Sequence, residues 1–431
     1  MNAKLLKDSI NSGALDIRFS KLYGSEESIL AAQRARYSAL IDEFCSLYGD
    51  DRDISLFSVP GRSELSGNHT DHNRGCVIAG SVDLDIIAVA SKSEGSTVRI
   101  KSEGFPEDVV DIAEYTSPNS ARFGRSDALI AGVAKGFCGR GYSVGGYDAC
   151  TTSSVLKGSG LSSSAAFENM VGLIFSHFYN SGNVDFVTLA QISQFSENEF
   201  FGKPCGLMDQ VACAAGGIVS IDFEDTASPI VEKVDFDLTE AGYCLCIVNT
   251  GGNHADLTPD YAAVPAEMKA VAAALGHSVL REASRHELIA AIPALREKLG
   301  DRAILRALHF FAENMRVADQ KNALKNGDLK AYFEGVRSSG LSSFCYLQNV
   351  YTTANVAEQG LSLALNLCES YLSALDVPTA WRVHGGGFAG TVQAYVPMES
   401  AAGFVELLES VFGKGSCYLL KVRLFGAVKV F

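Results

Sequence analysis

Residues 156–166 read LKGSGLSSSAA: an apolar approach, two glycines in a turn, three consecutive serines and then small helix formers. Gly158 and Gly160 permit positive φ and, lacking a Cβ, let backbone N–H groups approach an anion closely. Ser162, Ser163 and Ser164 add hydroxyl donors. A helix that starts near Ser163 and runs through Ala165, Phe167, Met170 and Ile174 would aim its positive dipole end at the same charge. The string therefore describes a loop that wraps a polyphosphate and runs straight into a helix. It is not a Walker loop, which needs a lysine before Ser/Thr, and an ordinary serine-capped helix after a glycine turn has the same letters.

Two further clusters bear on that choice. Residues 58–75 read SVPGRSELSGNHTDHNRG and set Arg62, His69, Asp71, His72, Asn73 and Arg74 between an apolar strand at 54–57 and another apolar stretch at 76–79. So many polar groups are not expected in a core; loops of this composition on a rigid scaffold commonly carry binding residues. Residues 383–394 read VHGGGFAGTVQA, either a tight hairpin or a turn that brings a second backbone segment to a ligand.

In this order and at these separations, the clusters resemble the three motifs of the GHMP small-molecule kinases, and specifically the galactokinases. The galactokinase first motif, roughly PGRxNxxGEHTDYNxGxVxP, is matched by PGRSELSGNHTDHNRGCVIAG from Pro60; the second, GLSSSAA, is intact from Gly160 to Ala166; the third, GxGFGG, is approximated by GGGFAGT from Gly385. SENEFFGKPCGLMDQ, residues 196–210, is similar to the family's EHxxxGxxCGxMDQ. The resemblance runs from about Phe57 to Phe431. It implies an α+β chain with the two-lobed GHMP kinase fold. An N-terminal lobe like the second domain of ribosomal protein S5 would span 1–230 and a ferredoxin-like α/β lobe 231–431, with the active site in the cleft between them.

The resemblance also implies the chemistry: transfer of a phosphoryl group from ATP to the anomeric C1 hydroxyl of galactose, giving galactose 1-phosphate and ADP. Phosphoryl transfer needs a positioned hydroxyl, charge neutralisation and in-line geometry more than covalent chemistry. Asp209 would act as the base that accepts or orients the sugar hydroxyl's proton. Arg62 would lie beside it, keep it ionised and stabilise charge on the moving phosphoryl group. Gly158, Ser159, Gly160, Leu161, Ser162, Ser163 and Ser164 would hold ATP. Ser164 and Glu197 would ligate Mg²⁺, a cation that takes hard oxygen donors, with Glu199 as the nearby competitor. His69, Asp71, Asp209 and Tyr261 would meet the sugar, Tyr261 closing NTGGNHADLTPDY.

The match is uneven at the sugar. Asn68 stands where the family has glutamate, His72 where it has tyrosine, Glu64 where it has asparagine, and the double arginine after the family tyrosine is replaced at 264–267. Because an amide donates as well as accepts, Asn68 would either bind the sugar's C6 hydroxyl as glutamate does or admit a changed C6, as in galacturonate; N-acetylgalactosamine is a related candidate. A non-catalytic galactose- and ATP-binding regulator and a mevalonate- or homoserine-type kinase are the other readings. The intact Ser164–Ala165–Ala166 step favours catalysis, and HTDHN with MDQ favours a sugar.

Composition permits this reading. A chain of 431 residues suits two domains of about 200 residues each. No apolar run reaches the roughly 18 residues of a membrane span and the N-terminus lacks a signal-peptide core, so a cytoplasmic protein is expected. The 11 cysteines include no CxxC pair, and Cys244 and Cys246 share one face of a strand, as reduced core thiols would. A net charge of −14 argues against nucleic acid and makes any positive potential at ATP local, from Mg²⁺, backbone dipoles and Arg62. The expected partners are the sugar and Mg·ATP, with the chain a monomer or weak homodimer. Helical spacing predicts helices at 27–48, 126–138, 163–179, 186–200, 262–275, 302–325 and 355–375, and strands at 55–59, 82–90, 217–222, 243–250, 380–396 and 417–430. The helix at 27–48 would serve as a domain cover or a partner surface.

Overall fold

The computed structural model describes residues 1–155, 160–203, 205–252 and 257–431. Its first sheet is built around two long antiparallel strands, Ser55–Ser66 (β1) and Cys76–Lys92 (β2). Along β2, Ile86, Ala88 and Ala90 face one core while Ile87 and Val89 face another, the alternation expected of a strand covered on both sides. Thr97–Ser102 (β3), Glu107–Asp111 (β4) and Tyr147–Ser153 (β5) extend the sheet beyond one half of β2. Ile218–Asp222 (β6) and Ile230–Val234 (β7) branch from its other half.

One face of this sheet packs on the helices Ser126–Gly139 and Ser163–Tyr179 through Ile130, Val133, Phe137, Met170 and Ile174. The opposite face is covered by three N-terminal helices, Ala3–Asn11, Asp16–Tyr23 and Glu27–Tyr48, which bury Leu6, Ile10, Phe19, Tyr37, Ile41 and Phe44 against Leu56, Ile87 and Val89. The helix expected at 27–48 is thus a cover for the sheet.

The second lobe holds Tyr243–Asn249 (β8), Ala380–Val383 (β9), Thr391–Pro397 (β10) and Cys417–Leu420 (β11) in the antiparallel order β11-β8-β10-β9. In chain order that is 4-1-3-2, with helices inserted after the first and third strands, the ferredoxin-like arrangement. Cys244, Cys246 and Val248 point to the helices Gly360–Leu372 and Ala401–Phe412, and both thiols are free and buried. Leu245 and Ile247 point the other way, into the core shared with the helix Leu329–Ser342.

One expectation needs correction. The division placed at residue 230 falls later, because β7 completes the first sheet, and the chain end returns as Val428–Lys429 (β12) to pair with β1. The helix expected at 302–325 is present: the helical run Arg285–Lys325 is broken at Gly300, whose φ of 77° is outside helical space, and its second part ends at Lys325 as expected. No helix among the described residues is long and apolar enough to cross a membrane.

Candidate active site

The site is assembled where β1 slips register against β2, between Pro60↔Asp85 and Arg62↔Ser81. Such irregularities re-aim side chains beside functional sites. Here the slip brings Gly61 and Arg62 onto the end of the glycine–serine loop. A Cβ on Gly61 would lie 2.7 Å from the Leu161 carbonyl oxygen, so glycine is what lets loop and strand touch. The Arg62 N–H donates to that same oxygen at 3.1 Å, and the Arg62 guanidinium donates to the Gly160 carbonyl.

Ser162 sits left-handed, at φ 58°, as the cap of Ser163–Tyr179. The other partner is the short helix Met208–Ala215, whose first turn carries Asp209. Arg62 Nε donates to Asp209 Oδ1 at 2.8 Å, Arg62 Nη2 lies 2.6 Å from Oδ2, and the Ser162 hydroxyl donates to Oδ2. Burial alone would raise the Asp209 pKa; the Arg62 charge and these hydrogen bonds outweigh it and hold the carboxyl below its usual range. The Asp209 side chain keeps 32% of its surface exposed, so this ionised, oriented carboxylate can still meet a ligand.

A second carboxylate flanks it. Asp71 is so close to the backbone of residue 206 that a Cβ on Gly206 would lie 2.5 Å from its Oδ2. Burial, with Glu64 and Asp209 nearby, pushes the Asp71 carboxyl upward against the opposing pull of His69. His69 is held left-handed at φ 57°, with Nε2 2.9 Å from the Gly386 carbonyl of the third glycine motif. The Tyr261 hydroxyl donates to the Gly387 carbonyl at 2.8 Å. Behind the serines, the Ser164 hydroxyl donates to Glu197 Oε1 at 3.2 Å and Gln210 Nε2 to Glu197 Oε2 at 2.8 Å. Glu197 is buried while Glu199 is exposed. Gly158 and Ser159 lie outside the described residues. Leu161 is buried, and Ser163 and Ser164 occupy the first helical turn.

Asn68 is a correction. It is fully buried, and its amide has no capacity left for a sugar: Nδ2 donates to Glu64 Oε1 at 3.0 Å and to the Gly385 carbonyl at 2.7 Å, while Oδ1 accepts from Asn349 at 2.8 Å and Ser343 at 3.3 Å. Glu64 and Asn68, the inverse of the family's asparagine and glutamate, are thus hydrogen-bonded to each other. Arg382 of β9, fully buried, closes the pair at 2.7 Å from Glu64. The expectation that residues 58–75 are too polar for a core holds for His69, Asp71, His72 and Arg74, which stay partly exposed, and fails for Arg62 and Asn73, which are buried along with Ser63, Glu64, Ser66 and Asn68. The second lobe supplies partners for Ser63, Glu64, Ser66 and Asn68, whereas those of Arg62 come from the first. His72 is half-buried, its pKa lowered to about 3 by burial and by His69, with Nδ1 2.8 Å from Asn73 Nδ2.

Sequence reasoning missed the residues that grip this segment from behind. On the helix Arg285–Lys325, His309, Glu313 and Gln320 are buried on one face. His309 Nε2–H donates to the Asn68 carbonyl oxygen at 3.0 Å; Glu313 accepts from the N–H groups of Gly67 and Asn68 at 3.2 and 3.4 Å; Gln320 accepts from the Ser66 hydroxyl. Their helical spacing was the available signal. Nothing local told which segment they would touch.

A serine-rich helix start beside an arginine-held carboxylate that a ligand can reach suits a small-molecule phosphotransferase. The model for the GHMP kinases N terminal domain matches residues 128–217, and the galactokinase galactose-binding signature matches 42–92. The galactokinase of Streptomyces coelicolor is 30% identical over 393 residues, 90% of this chain and 95% of that protein. That of Lactococcus lactis strain IL1403 is 28% identical over 395 residues, 89% of this chain and 94% of its own. The crystal structure of Lactococcus lactis galactokinase complexed with galactose superposes with a TM-score of 0.76 at 24% identity, covering 91% of this chain and all of that one. Methanococcus jannaschii mevalonate kinase shares the fold, at a TM-score of 0.61 and 14% identity over 86% of this chain and 98% of its own. The chain belongs to the galactokinase family.

Proposed function

We propose that this chain transfers the γ-phosphoryl group of ATP to the C1 hydroxyl of galactose, giving galactose 1-phosphate and ADP. The observation that carries the reading is the Asp209 carboxylate, held ionised by Arg62 and Ser162 at the start of the serine-rich helix and flanked by Asp71. A carboxylate with a lowered pKa is a weak base. Asp209 therefore acts first by orienting the hydroxyl, and takes its proton as bonding to phosphorus makes that hydroxyl acidic. Arg62 balances charge on the phosphoryl oxygens. Asp71, His69 and Tyr261 face the sugar; Gly160, Leu161 and the serines face the nucleotide.

The residues also fit Mg²⁺. Ser164 Oγ and Glu197 Oε1, 3.2 Å apart, are hard oxygen donors at the end of the phosphate loop. The cation would supply charge neutralisation on ATP there. The chain would work in the cytoplasm as a monomer or weak homodimer.

ADP release measured with galactose, galacturonate, N-acetylgalactosamine, arabinose and mevalonate tests the assignment. Galactose should give the highest kcat/KM. Turnover on mevalonate alone, or nucleotide and galactose binding without turnover, would overturn it.

A further inference from the structure

Lys203 stands at a position that the motif of residues 196–210 leaves unspecified, yet it reaches the same carboxylate oxygen as the serine loop. Its Nζ lies 2.9 Å from Glu197 Oε1, the atom that also accepts from Ser164 Oγ at 3.2 Å. Its backbone N–H donates to the Glu197 carbonyl at 3.1 Å, which ties the base of the side chain to the site. The ammonium also falls within the field of Asp209.

The charge balance around it is acidic. Asp71 lies near Asp209, Glu197 and Asp209 both act on the Lys203 ammonium, and the Arg62 guanidinium is already committed to Asp209 and the Gly160 carbonyl. A triphosphate entering there meets three carboxylates and one engaged cation. Lys203 is different in kind: 61% of its side chain is exposed although Glu197 is buried, so the ammonium can turn toward an incoming anion, and the Glu197 carboxylate it uncovers then needs another cation. A compact ammonium on a flexible stem suits a phosphate oxygen in motion.

We propose that Lys203 is a phosphate-binding residue that exchanges partners: it neutralises Glu197 in the empty site and turns to the terminal phosphate of ATP when the nucleotide enters. Glu197 is then left free for a divalent cation beside Ser164. Two opposite effects follow from this one exchange. Lys203 strengthens binding of nucleotide without metal, and it competes with a cation for Glu197.

The inference rests on the kinase reading, but its test is a binding measurement that needs no turnover. Titration calorimetry on Lys203→Met should find metal-free ATP, in EDTA, bound about tenfold more weakly. Mg²⁺ alone should bind severalfold more tightly than to the unaltered protein. Lys203→Arg should restore most of the ATP affinity. Unchanged ATP affinity in Lys203→Met, or Mg²⁺ affinity that falls with it, would overturn the proposal, whereas failure of the unaltered protein to bind ATP at all would sink the kinase reading instead. Should Lys203→Met not fold, Lys203→Gln provides the same comparison.

Discussion

The two sides of the cleft are held together in different ways. On the phosphate side, Gly61, Arg62, the end of the glycine–serine loop and Asp209 meet through short contacts among motif residues, and the carboxylate keeps an exposed side. On the sugar side, the motif's backbone is gripped from the second lobe by His309, Glu313, Gln320 and Arg382, residues between 241 and 318 positions away along the chain. The first side carries its chemistry within its own motifs. The second is shaped by groups bonded to the motif from behind. A substitution should therefore strike turnover on the phosphate side, and stability or sugar affinity on the other.

The largest effect is expected from Asp209→Asn. It removes the proton acceptor but keeps the shape, and kcat should fall by about 10²–10⁴-fold while ATP still binds, as measured by steady-state kinetics and calorimetry. Full activity would erase the distinction between the two sides. Arg382→Met leaves Glu64 buried without its cation, and denaturant unfolding should register a loss of roughly 3–5 kcal/mol. Glu313→Gln should act more gently, because an amide can keep one acceptor for the Gly67 and Asn68 N–H groups. The expected result is a rise in galactose KM of about tenfold, near 1.4 kcal/mol, with ATP KM nearly constant; parallel changes in both would blur the comparison.

The smallest effect sharpens the electrostatics. With its pKa lowered in the folded state, Asp209 contributes stability that is present above the ordinary carboxylate value of about 4 and is lost as pH falls through the folded value. Its ionisation should thus leave no acid limb in kcat/KM above about pH 4. In Arg62→Met burial dominates, so the limb should move upward into the measurable range.

Legibility in the sequence follows the same division. Helix spacing located Glu27–Tyr48 and Ser163–Tyr179 to the residue, because the periodic apolar positions are local signals. The loop, Arg62 and Asp209 were legible because their letters form motifs. Asn68 was misread, since its four partners come from Glu64, Ser343, Asn349 and Gly385, and only the folded second lobe brings the last three to it. The polar stretch at 58–75 was expected outside the core for the same reason: burial of polar groups depends on partners, and distant partners leave no local trace. β12 escaped notice as an N-terminal-lobe strand because only two residues pair with β1.

The most direct measurement is a crystal structure with a non-hydrolysable ATP analogue and galactose. The account predicts the C1 hydroxyl within hydrogen-bond distance of the Asp209 carboxylate and in line with the terminal phosphorus, with Arg62 alongside and the Asn68 amide still holding its four protein partners. A sugar seated away from Asp209, or held by Asn68 in exchange for those partners, would contradict it.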